Sequence, residues 1–138
     1  MVNSRNKGAS FERLIVKKIN SYLESKGEKE RVKRNLDQTQ VKGLADIYWG
    51  KFAIECKRYG NSNTNMYRNS WWQQVETSAG DKFIPILIYK YNRKPIYANV
   101  PAWIIVPAPK NNQITYMCPF SDICENIDEI IKKVYGHK

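Results

Sequence analysis

Residues 43–57 read GLADIYWGKFAIECK, and the division of this stretch decides the fold. Two strand-like segments, Leu44 to Trp49 and Phe52 to Lys57, flank the dipeptide Gly50-Lys51. A glycine opening a two-residue loop suits a type II′ turn, whose twist matches that of antiparallel strands. That loop length sets the register: Trp49 opposite Phe52, Ile47 opposite Ile54, Asp46 opposite Glu55. Side chains alternate along a strand, so Ile47, Trp49, Phe52, Ile54 and Cys56 share one face, and Asp46, Tyr48, Ala53, Glu55 and Lys57 the other. The first set reads as a core face and the second as a place for chemistry.

Two carboxylates directly opposed on a strand pair lie roughly 5 Å apart and repel. A divalent cation between them reverses that penalty, since Mg²⁺ selects hard oxygen ligands. Lys57, two residues beyond Glu55 on the same face, is placed to orient a water or to offset charge on a reacting phosphate. The competing reading is a surface hairpin with Glu55 and Lys57 in a solvated ion pair. Against it stands the apolar surrounding of the charges in AIECK, which suits a half-buried strand.

Upstream, Gly8 to Ser25 has helical periodicity, with Phe11, Leu14, Ile15, Ile19, Tyr22 and Leu23 at three- and four-residue spacings. Glu12 projects inside that apolar stripe, between Ile19 and Leu23. A carboxylate aimed at a core is costly unless it is paired or bound to a metal. The alternative is an early-turn glutamate that favours the helix dipole and leans into solvent.

Asp46 followed by Glu55-Cys56-Lys57 at the end of a hydrophobic strand resembles the PD-(D/E)XK nuclease signature, with Ala45 in place of the usual proline. Basic residues and Gly8 ahead of a helix carrying Glu12 are similar to Holliday junction resolvases of the archaeal and phage-encoded type. RNLDQTQ before the hairpin and WWQQ after it resemble the phage branch. The resemblance covers roughly residues 4 to 90. It implies an α/β fold with a mixed central β-sheet flanked by helices, the restriction-endonuclease-like PD-(D/E)XK core. It also implies Mg²⁺, with Mn²⁺ substituting, held by Glu12, Asp46, Glu55 and the backbone carbonyl of Cys56. Lys57 would position the nucleophilic water. Gln74 matches the glutamine that follows the nuclease core, with Gln73 the alternative. A homodimer acting on four-way DNA junctions is the assembly the resemblance implies. Nucleases for flaps, nicks or duplex DNA, and a non-catalytic nucleic-acid-binding protein, are the rival readings.

Composition agrees with a polyanionic partner. The 138-residue chain carries 23 lysines and arginines against 13 acids, a formal charge of +10. Such an excess points to nucleic acid or an anionic membrane surface. No basic amphipathic helix with exposed large apolar residues supports the membrane option, and no segment approaches the ~20 apolar residues of a span. The polar N-terminus predicts a protein that stays where it is made, the host cytoplasm if phage-encoded. Cys56, Cys118 and Cys124 have no metal-like spacing, and their odd number disfavours a disulfide framework.

The length suits a single nuclease domain over residues 1–138. Residues 1–7 read as a mobile basic arm, and about 59–70, rich in Asn and Ser, as a mobile loop. Candidate DNA contacts are Arg5 and Lys7 in the arm, Arg31, Lys33 and Arg34 before the hairpin, Gln38 and Thr39 in a polar loop, and Arg58 and Arg68. Val32, Arg34 and Leu36 are placed on a first strand. Ser70 is expected to cap a helix from Trp71 to Ala79, and Phe83 to Tyr91 to form a strand buried on both faces. Ile96 to Val100 reads as a further strand. A hairpin of Ala102 to Val106 with Gln113 to Met117 is expected next, its prolines marking edge positions. A last helix, capped by Asp122 with Glu125, runs to Tyr135. Trp71, Trp72, Trp103, Tyr97 and Tyr116 are more large aromatics than one small core readily hides, and offer material for a dimer interface.

Overall fold

The structure, a computed structural model, describes residues 4–35 and 44–136, with the backbone alone described for residues 4–7. In chain order the elements are α1 (Ser4–Ser25), β1 (Lys33–Arg34), β2 (Ile47–Trp49), β3 (Phe52–Arg58), α2 (Asn69–Ala79), β4 (Ile84–Lys90) and β5 (Tyr97–Pro101). A 3₁₀ turn (Ala102–Ile104), β6 (Thr115–Pro119), α3 (Phe120–Glu125) and α4 (Ile127–Tyr135) follow. The six strands form one sheet in sequence order. Every neighbour pairs antiparallel except β3 and β4, which run parallel with α2 as their crossover. The expected mixed sheet flanked by helices is therefore what the chain forms.

The hairpin register is the predicted one, with Trp49 opposite Phe52 and Ile47 opposite Ile54. Gly50 has φ +54°, as the first position of a II′ turn requires. A Cβ there would also meet the Tyr135 hydroxyl at 2.0 Å, so α4 docks on the turn at a spot that only glycine leaves open. The Lys51 N–H donates to that hydroxyl at 2.8 Å.

One sheet face buries Ile47, Trp49, Phe52, Ile54 and Cys56 with Ile86 and Ile88, under Phe11, Ile15, Ile19 and Leu23 of α1 and Ile123, Ile127 and Ile130 of α3 and α4. The opposite face packs Leu87, Tyr89 and Tyr91 against Trp71, Trp72 and Val75 of α2. A smaller alanine cluster, Ala45, Ala53 and Ala79, lets α2 approach β3 closely. β4 is thus covered on both faces, as its aliphatic run predicted.

Several elements depart from expectation. α1 begins at Ser4 rather than Gly8, so the backbone of residues 4–7 is helical where a mobile arm was expected. β1 is two residues long, and Leu36 lies outside the described residues. Residue 68, not Ser70, precedes α2, and no side chain caps it. In the loop of residues 59–68, the carbonyls of Asn65 and Met66 accept from the Tyr89 and Tyr91 hydroxyls, both at 2.6 Å.

Ala102–Ile104 is a 3₁₀ turn, not half of a hairpin. β6 instead pairs with β5, from Pro101 opposite Thr115 to Tyr97 opposite Pro119. Pro101 is consequently on an inner strand; it is tolerated because the described pairing of β5 with β4 ends at Asn99. The last helix is broken at Asn126, which leaves helical geometry (φ −105°, ψ 20°) and whose backbone N–H and side-chain amide both donate to the Asp122 carbonyl. Asp122 and Glu125 make no capping hydrogen bond; Pro119 precedes α3. Trp71 and Trp72 are spent on the second core cluster, leaving Tyr116 as the exposed member of the aromatic set.

Candidate active site

The centre forms where β2 stops pairing with β3. The ladder ends at Ile47 opposite Ile54, and Asp46 lies in a bend just beyond it. Asp46 is therefore not a ladder partner of Glu55 as the register alone suggested. Its backbone carbonyl instead accepts from the Asn35 N–H at 2.7 Å, while the Asn35 amide donates to the Ala45 carbonyl at 3.1 Å. These bonds hold the bend so that the Asp46 carboxylate swings across the open edge and accepts from the Cys56 N–H at 2.8 Å. The N–H and carbonyl of a strand residue project to the same side, so the Cys56 carbonyl faces this edge too.

Glu55 is 1% exposed on the α2 face. Ser78 donates to its Oε1 at 3.2 Å, and the Gln74 amide donates to Oε2 at 3.3 Å. Gln74 Oε1 in turn accepts from Lys57 Nζ at 2.7 Å, so one glutamine bridges acid and lysine. Gln73 is exposed and meets neither. Ser78 escaped the sequence reading. It lies four residues from Gln74 and hence on the same helix face, a spacing that points to it once Gln74 is placed.

Burial, the neighbouring Asp46 charge and a hydrogen bond to the Asp46 carboxyl push the Glu55 carboxyl up from 4.5 to about 8; Lys57 and Ser78 oppose this. Burial beside a second acid thus favours the protonated form of the Glu55 carboxyl. Cys56 reports the same field from the other face: its burial and the charges of Asp46, Glu12 and Glu55 push the thiol well above its ordinary value.

Glu12 arrives from α1 and is 9% exposed. Arg34 of β1 donates from Nε to its Oε1 at 3.0 Å. The structure thus joins Glu55, Gln74 and Lys57 by hydrogen bonds, anchors Asp46 on the neighbouring Cys56 N–H, and engages Glu12 with an arginine. Among the described residues no three His, Cys, Asp or Glu side chains are grouped to hold an ion.

The family model described as "Phage putative PDDEXK endonuclease" matches residues 3–134. The chain belongs to this family. It is a nuclease of the PD-(D/E)XK type, and nucleases of this type generally use divalent metals. Among solved structures it is similar to Hjc, a Holliday junction resolvase from the archaeal hyperthermophile Archaeoglobus fulgidus. The identity is 15% and the TM-score 0.48, over 88% of this chain and 98% of that one. No curated protein matches.

The donor set fits a hard divalent cation. Mg²⁺ is commonly held by one or two carboxylates with the remaining positions left to water and phosphate. Asp46 and Glu55 offer such a pair, and the Asp46 charge that helps raise the Glu55 carboxyl is one an ion would offset.

The candidate DNA contacts divide. Arg34 is committed to Glu12, and Arg31 donates to the Glu28 and Glu30 carbonyls at 2.6 and 2.8 Å. Lys33 is exposed. Arg58 donates to the Tyr59 carbonyl, and the Arg68 guanidinium lies 4.4 Å from the Tyr59 ring centre and 5.4 Å from that of Trp71. Gln38 and Thr39 lie outside the described residues, as do the side chains of Arg5 and Lys7.

Proposed function

We propose that this nuclease is a divalent-cation-dependent DNA endonuclease acting on branched DNA, with the four-way junction as its substrate. The observation that carries the reading is the buried pair Asp46 and Glu55, with Glu55 joined through Gln74 to Lys57. Asp46, Glu55 and the Cys56 carbonyl would hold Mg²⁺ or Mn²⁺, with Glu12 at the rim. When bound, the cation lowers the pKa of a coordinated water and offsets charge on the scissile phosphate.

The chain's own residues do the positioning. Ser78 and Gln74 fix the Glu55 carboxylate from the α2 side, and the Cys56 N–H fixes Asp46. Gln74 holds the Lys57 ammonium beside the carboxylates, where it orients the attacking water and stabilises the phosphate as the P–O bond breaks. Arg34 compensates the Glu12 charge and keeps that side chain turned to the site.

Junction choice rests on the motifs around the core, RNLDQTQ and WWQQ, and on the basic surplus. Resolution requires two symmetric nicks, hence two active sites in one particle, most simply a two-fold homodimer. A second reading has one observation in its favour. The burial of Trp71 and Trp72 removes much of the aromatic surface available for an interface, which favours a nuclease acting as a monomer on flaps, nicks or duplex. In either case the reaction belongs in a host cytoplasm; no helix among the described residues is long and apolar enough to cross a membrane.

Four-way, flap, nicked and linear DNA offered with Mg²⁺ to wild type and Glu55→Gln test the reading. Paired nicks in the four-way junction by wild type, none by the variant, and a dimer in sedimentation are expected. Faster cleavage of flaps or duplex by a monomer would replace the junction by the simpler substrate. No cleavage of any substrate would overturn the enzyme.

A further inference from the structure

We propose that the concave surface between the Gly50 turn, the α2–β4 turn and the loop before β6 is a second site for the DNA backbone, separate from the carboxylate centre. Lys51, Lys82 and Lys110 come from these three segments and line one cavity of about 330 Å³ together with Trp103 and Asp81. The ion pairs among the described residues are Lys26–Asp128, Arg34–Glu12 and Lys132–Glu129, none of which takes one of the three lysines. Asp81 is the one acid in the lining, leaving three positive charges against one negative.

Two of the ammonium groups are held by rings. Lys110 Nζ lies 5.2 Å from the Trp103 ring centre and Lys51 Nζ 5.0 Å from that of Tyr135. The Trp103 indole N–H donates to Asn112 Oδ1 at 2.9 Å, which fixes the wall of the cavity. Cations gathered on separate loops repel one another, and prior placement reduces the entropy lost when an anion arrives. A line of phosphates is the ligand that offsets this repulsion, releasing its own counterions as it binds.

The position favours DNA already engaged at the active site. The groove lies at the start of β3 and β4, whereas Lys57 and Arg58 lie near the end of β3. Lys51 and Glu55 are four residues apart on extended chain, roughly 13 Å. That separation is a few base pairs along a duplex, the spacing over which one DNA arm could meet both sites. The inference rests on the nuclease reading and adds a contact that holds the arm without touching the scissile phosphate.

The test uses Glu55→Gln, which binds without cutting, with and without the triple change Lys51→Gln, Lys82→Gln and Lys110→Gln. Affinity for a duplex of about 30 base pairs is measured over a salt series. The triple variant should bind at least ~10-fold more weakly near 0.1 M salt, with a log–log salt slope smaller by about 2 to 3, since each phosphate contact contributes about 0.9. In the cleaving background it should raise KM and leave kcat unchanged. An unchanged slope with an unchanged KM would overturn the groove while the nuclease stands. A fall in kcat at saturating DNA would also overturn it, since the lysines would then act on the chemistry. Failure of both wild type and Glu55→Gln to bind branched or duplex DNA would overturn the substrate reading on which the groove rests.

Discussion

The two faces of β3 carry opposite solutions on one strand. Ile54 and Cys56 point into a core closed by α1, α3 and α4, with no charged side chain among its members. One residue along, Glu55 points under α2 and is as deeply buried as Ile54, at 1% exposure each. The core face is stabilised by burial, roughly 25 cal/mol for each Å² removed from water. The other face bears the cost of a desolvated carboxyl, visible in the rise of Glu55 to about 8. The alanines Ala53 and Ala79 bring α2 close enough for Gln74 and Ser78 to reach that carboxyl. Stability and chemistry are thus separated by a single step of the strand alternation.

The comparison is broken most severely by Lys57→Ala. Removing the ammonium should lower the cleavage rate by about 10³-fold, the scale of losing one charge-stabilising group, while urea denaturation stays within about 0.5 kcal/mol of wild type because the site is partly exposed. Rates within tenfold of wild type would remove Lys57 from the reaction. Ile54→Ala should do the reverse, costing about 2–5 kcal/mol in urea denaturation and leaving the rate per folded molecule near wild type. A variant that stays stable would show that the closed face is not the one that holds the fold.

A smaller effect is expected from Gln74→Ala. Losing hydrogen bonds to charged partners is worth about 1.5–3 kcal/mol each, but Lys57 and Glu55 keep water and Ser78 as substitutes. Cleavage should fall about tenfold, whereas Gln73→Ala should leave it unchanged. Equal effects of the two changes would remove the bridging role.

The smallest effect is on stability against pH in the absence of divalent cation. Glu55 is raised from 4.5 to about 8, so between those values the folded chain keeps a proton that the unfolded chain has released. That contribution is fully present below pH 4.5 and is lost as pH rises toward 8. Scanning calorimetry with a chelator should show Tm falling by on the order of 5 °C from pH 5 to pH 8, and Glu55→Gln should flatten the profile. A Tm that rises over this range in wild type alone would contradict the raised Glu55 carboxyl.

The hairpin was legible because a period of two and a glycine at the turn specify face and register together, with little help from the rest of the chain. The burial of Glu12 was legible from a helical spacing that places it inside an apolar stripe, whereas Gln74 was singled out by the family resemblance alone. What could not be read were contacts chosen by distant segments. Arg34 lies 22 positions from Glu12, and nothing local distinguishes it from the neighbouring cations Arg31 and Lys33. AWIIV reads as a strand by propensity, yet β6 finds its partner in β5, so Ala102–Ile104 closes as a 3₁₀ turn. Asn126 breaks the last helix by leaving helical geometry, which periodicity cannot register. Trp71 and Trp72 read as surplus because Tyr67, Tyr89 and Tyr91, which surround them, come from separate segments.

The central claim, that Asp46 and Glu55 together form the cation site, is tested most directly by calorimetric titration of Mn²⁺ into the protein at pH 7 in buffers of different ionisation enthalpy. A cation bound by the two acids competes with the proton that burial and the Asp46 charge favour on Glu55. Wild type should take up Mn²⁺ with release of close to one proton per ion, and Glu55→Gln should bind weakly with no proton released. Binding that is proton-neutral in wild type, or undiminished in Glu55→Gln, would contradict the account.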